Sequence, residues 1–121
     1  MTRAAVELIG DTLAPARGQG WHGGPTPVGA VRGVSAAAAH WTPAPGRASI
    51  WGLTLHIAYW KYTIRRHLVC RLIPRFPRHP ANFPVVGKRW TFGQMLIGVA
   101  MHDAYHTGQI QLLKRLWDSR R

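Results

Sequence analysis

Two long stretches of the chain place apolar residues along one side of a helix. In "SIWGLTLHIAYWKYTIRRHLVC" the residues Ile50, Leu53, Ile57, Trp60, Ile64 and Leu68 recur at spacings of three and four, the period of a single helix face. Ser49 supplies an N-cap. Arg65, Arg66 and Arg71 gather where cations favour the helix dipole, and Pro74 stops the helix. The second stretch opens on "TFGQ", a capping box in which Gln94 can reach back to the Thr91 amide. Its apolar face reads Met95, Val99, His102, His106, Ile110, Leu113, Trp117. No strand pattern of similar strength competes, so the expected fold class is all-α.

The remainder is read from its punctuation. Residues 1–13 form a short helix that ends before Pro15, and "ARGQGWHGGPTP" is a loop. Thr26 and Pro27 suit an N-cap and first helical position, with a helix through about Val34. "HWTPAPG" at 40–46 is again a loop. Prolines at 74, 77, 80 and 84 forbid a helix there. A chain of 121 residues suits one domain, here 1–121, with a poorly defined N-terminal segment over 1–20 and a Pro-rich linker over 74–90.

Two positions of the second apolar face are imidazoles. Side chains at i and i+4 stand one above the other, and two such rings can share an ion whose nitrogen ligands lie about 2.0–2.1 Å away. The competing reading is a pair of core histidines satisfied by backbone groups and water, and the pair alone does not decide between them. His56, beside Ile57 and one turn from Leu53 and Trp60, lies on the apolar side of the first helix. Packing the helices face to face brings it opposite the pair. Three neutral imidazoles would leave one to three coordination positions open, and they suit zinc, nickel, iron or copper better than manganese.

The other polar residues take lesser roles. His67 lies about 16 Å further along its helix, too far to share the ion. His40 and His79 fall in loops and are solvated, whereas His22, in "GWHGG", could reach the site from a flexible loop. Asp103 and Tyr105 flank the histidines. Asp103 either orients a ligand from behind or pairs with one of the many arginines. Gln109, on the histidine face, could donate to a bound anion or a neighbouring helix. Gly108 permits close helix approach rather than chemistry. No residue is assigned a catalytic role.

Charge adds a second question. Sixteen basic residues, thirteen of them arginine, face four acidic ones, for a net charge of +12. Such a balance suits nucleic acid or an anionic surface, but the arginines are scattered and equally describe a solvated basic exterior. The lone Cys70 cannot form an internal disulfide, which points to a reducing, cytoplasmic setting. Glu7 and Asp11 break any signal-peptide pattern, and no apolar run reaches the roughly 18 residues of a membrane span.

Taken together, "WHGGPTP…AVRGVSAAAAHWTPAPGRASIWGLTLHIAYWKY" and "TFGQMLIGVAMHDAYHTGQIQLLKRL" resemble the DinB-like superfamily of damage-inducible proteins. The resemblance implies an up-down four-helix bundle that binds a divalent metal through His56, His102 and His106. It also implies, for some members, S-transferase chemistry with low-molecular-weight thiols such as bacillithiol or mycothiol, on a small-molecule substrate. One departure stands out. Relatives carry a further long helix between the two motifs, and here the flanking segments nearly join at Gly87. The expectation is therefore a shortened bundle of about three main helices, with a homodimer covering the exposed face. The alternatives are a catalytically degenerate, metal-stabilised bundle or a basic nucleic-acid-binding module.

Overall fold

The computed structural model describes residues 2–15, 23–69 and 92–120. Among them are five helices and no strand: α1 (Arg3–Leu13), α2 (Pro27–Val31), α3 (Ala36–His40), α4 (Ile50–Val69) and α5 (Phe92–Ser119). The protein is all-α. None of these helices is long and apolar enough to cross a membrane.

Hydroxyl caps set the start of four of them. Thr2 accepts from the Ala5 amide at 3.2 Å, Thr26 from Gly29 at 3.1 Å, Ser35 from Ala38 at 3.2 Å and Ser49 from Gly52 at 3.0 Å. Each satisfies one of the amides that a helix leaves open at its first turn. The Thr91 capping box and the Pro-rich linker over 74–90 lie outside the described residues. Two differences from the sequence reading emerge. α2 stops at Val31 rather than Val34, because Gly33 adopts φ +74° just past the Arg32 cap, the left-handed step that ends many helices. α3 was not foreseen: its alanine run has high helix propensity but no apolar period. The short helix expected over 1–13 is present as α1 over 3–13.

α5 is the hub. α4, α2 and α1 all pack on it, and α3 packs on α4. The two long helices run antiparallel: Lys61 meets Asp103, His56 meets His102 and His106, and Ile50 shares a cluster with Ile110 and Leu113. That cluster also contains Ala30, Leu53 and Ile57, with Val31, Val34 and Trp41 against it. Lys114 Nζ donates to the Ala30 carbonyl at 3.0 Å, tying α2 to α5. Trp41 meets Trp117 edge-on at 5.9 Å. The apolar faces read from the sequence are thus the faces that make the core, and the histidines sit at its polar end.

Candidate metal centre

The site is built by two helices. α4 presents His56 from within its buried face, between Leu53 and Ile57, and His56 is 6% exposed. α5 presents His102 and His106 one turn apart, both partly buried. The ring centroids of His56 lie 4.9 Å from those of His102 and His106, and the latter two are 4.4 Å apart. One ring nitrogen from each lies within 4.8 Å of the other two. Nitrogens sharing a tetrahedral ion stand about 3.3 Å apart, as follows from bonds of about 2.0–2.1 Å, so the cluster is of the scale of one ion.

Three observations bear on whether these residues suit a cation. Both ring nitrogens of His102 are buried without a hydrogen-bond partner. An orphaned buried group costs about 1–3 kcal/mol, which ligation would relieve. Burial first, then the neighbouring His106 and His56, lower the His102 pKa from 6.5 to about 4, so the ring is neutral at pH 7, as a ligand must be. His106 Nδ1 donates to Gln109 Oε1. That bond leaves the lone pair on Nε2, the arrangement by which an outer partner orients a metal-bound imidazole. The donor set fits a divalent transition ion.

The surrounding residues refine the sequence reading. Asp103 was placed on a flank, yet it is 4% exposed, because the inward face of α5 is broad enough to take in Asp103 and Thr107. Its Oδ2 lies 2.8 Å from Lys61 Nζ on α4; the partner is a lysine rather than an arginine or a ligand histidine. Burial pushes the Asp103 carboxyl up, and Lys61 partly pulls it back. Gln109 accepts from His106 instead of donating to an anion. Tyr105 is exposed, with its ring 5.1 Å from that of His106. Trp60 stands edge-on to His56 at 6.3 Å and to His102 at 6.0 Å.

Other candidates fall away from the cluster. His40 is exposed at the end of α3, beside Trp51 at 6.0 Å. His22 and His79 lie outside the described residues, as does the side chain of His67. A methyl group placed on Gly108 would meet nothing within 4 Å, so that glycine serves no close approach inside the described chain. Lys61 was not singled out by sequence reasoning, although a signal existed. It is the one charged residue between Ile50 and Ile64, and Asp103 is the one charged residue between Phe92 and Leu113.

Fold and site together define an all-α protein with a three-histidine cluster competent to hold a metal. Comparison with known proteins gives no match to a protein family, a curated protein or a solved structure.

Proposed function

We propose that this chain is a DinB-like metal-dependent enzyme in which His56, His102 and His106 hold one divalent ion, with zinc, nickel and iron the best-suited candidates. The observation that carries the reading is the convergence of three imidazoles from two helices, their ligand atoms within 4.8 Å of one another. The chemistry supplied at such a centre is Lewis-acid activation of water or a low-molecular-weight thiol toward a small-molecule electrophile. The chain's own residues do the rest. Gln109 fixes the tautomer and orientation of His106, and the depressed pKa of His102 keeps its lone pair free. Trp60 and Tyr105 supply aromatic surface beside the rings. Asp103 is engaged by Lys61 and is poorly placed to act as a carboxylate base. That favours transfer from an acidified thiol over base-driven hydrolysis.

Elemental analysis and calorimetric metal titration of purified protein test the reading. One ion per chain is expected, lost in His56→Ala and in His102→Ala. Full stoichiometric metal in either variant would sink the assignment. A second reading is favoured by the orphaned His102 nitrogens: the ion stabilises the fold without turnover. Loss of thermal stability on chelation, with no thiol-transferase activity across several thiols, distinguishes it.

A further inference from the structure

The seam between α4 and α5 carries one charge on each side. Lys61 is the one charged residue between Ile50 and Ile64, Asp103 is the one charged residue between Phe92 and Leu113, and the two meet at 2.8 Å. Stability alone does not account for them. Asp103 is 4% exposed, its Oδ1 is buried without a hydrogen-bond partner, and an apolar pair of similar volume often stabilises a buried seam as well or better. What a buried ion pair adds in the best-attested cases is register. We propose that Lys61 and Asp103 are a positioning pair, fixing the register of α4 on α5 that brings His56 into the cluster with His102 and His106. Their purpose rests on the metal centre proposed above, which needs all three rings at one point.

Asp103 directly follows His102 and precedes His106 by three residues, and Lys61 lies five residues after His56, about 7.5 Å along α4. The ion pair therefore ties the two helices together within about one and a half turns of every ring. The core cluster of the seam is aliphatic: Ile50, Leu53 and Ile57 of α4 lie with Ile110 and Leu113 of α5. The hydrophobic effect is non-directional, so such surfaces accept small slides and rotations at little cost in buried area. Ligation does not accept them. Metal–nitrogen bonds hold to about ±0.2 Å, whereas a slide by one residue moves a ring by about 1.5 Å. A slip of that size also breaks a charge-assisted hydrogen bond and strands the Asp103 carboxylate in the seam. Lys61 and Asp103 thus discriminate between registers on the length scale that the three imidazoles require.

Lys61→Met combined with Asp103→Leu removes both charges and keeps the seam apolar. Register is read in the metal-free full chain by pulsed electron paramagnetic resonance. Spin labels go on Ala58→Cys and Leu112→Cys, exposed positions of α4 and α5, in a Cys70→Ser background. The double variant should keep the helical circular dichroism and most of the parent's resistance to urea. It should nevertheless broaden the distance distribution and raise the zinc dissociation constant at least 10-fold. The visible absorption of the cobalt(II)-loaded protein, which reports ligand geometry, should change with it. If the double variant does not fold, Asp103→Asn, of nearly the same shape, carries the same readings. An unchanged distance distribution overturns the proposal. So does zinc affinity within twofold of the parent's in a variant whose distribution has broadened. A parent chain that takes up no zinc, with a distribution that still broadens in the variant, overturns the metal centre and supports the register assignment.

Discussion

Acidifying the metal-free protein should destabilise it through His102. In the unfolded chain this imidazole takes a proton near pH 6.5, whereas in the folded protein burial and two neighbouring rings hold its pKa at about 4. Between those values the unfolded state binds a proton that the folded state refuses, so stability falls as pH falls. Each pH unit in that window is worth about 1.4 kcal/mol. The loss accumulates to roughly 3 kcal/mol by pH 4, with none of it above pH 6.5. Against a typical domain stability of about 5–15 kcal/mol this is a large fraction. Asp103 works in the opposite sense. Its carboxyl lies above the ordinary value, so the folded state gains relative stability as that group protonates, and the curve should flatten toward pH 4. The assay is urea unfolding in chelator at pH 7.5, 6.5, 5.5 and 4.5, followed by tryptophan fluorescence and circular dichroism. His102→Gln should lose most of the slope. Saturating zinc should steepen it, because three imidazoles must then stay unprotonated together. A flat profile between pH 6.5 and 4.5, or an unchanged slope in His102→Gln, would refute the reasoning.

Three further outcomes are expected. Lys61→Met should cost about 1–3 kcal/mol in denaturant unfolding, below the range for a fully buried pair because the lysine side chain keeps 39% exposure; Lys61→Met with Asp103→Leu should recover most of it. Gln109→Leu should weaken metal binding about 10- to 100-fold by calorimetry while leaving the helical signal intact, as removal of an outer-shell partner does. Ile110→Ala, at a position with no exposed surface, should lower stability by about 2–4 kcal/mol, and a smaller effect would mean that the α4–α5 seam collapses around the gap.

What could be read from the sequence follows from the range over which each signal acts. The faces of α4 and α5 were legible because residues such as Ile50, Leu53 and Ile57 repeat with the helical period, and the Ser49 and Thr26 caps because they act over three residues. The three histidines were legible as polar interruptions of an apolar face. α3 was hidden because alanines at 36–39 have no face to reveal. Lys61 looks like a solvated charge, and Asp103 could orient a ligand or pair with an arginine, until the register of α4 on α5 is known, and that register depends on the packing of the whole seam. The role of Gln109 turned on direction: an amide can donate or accept, and only the position of the His106 ring decides which.

The two histidine-bearing helices have a consequence for how this chain can change over time. His56 and His102 are 46 positions apart, and all three rings of the cluster stand on α4 and α5. Closing a loop costs free energy that grows only with the logarithm of its length, about 0.6 kcal/mol per doubling. Insertions or deletions in the connection between the two helices therefore leave the three-imidazole arrangement nearly untouched, provided the antiparallel seam forms. Selection on the site would be blind to the length of the tether, whereas a single-residue insertion between His102 and His106 would rotate one ring about 100° away and dissolve it.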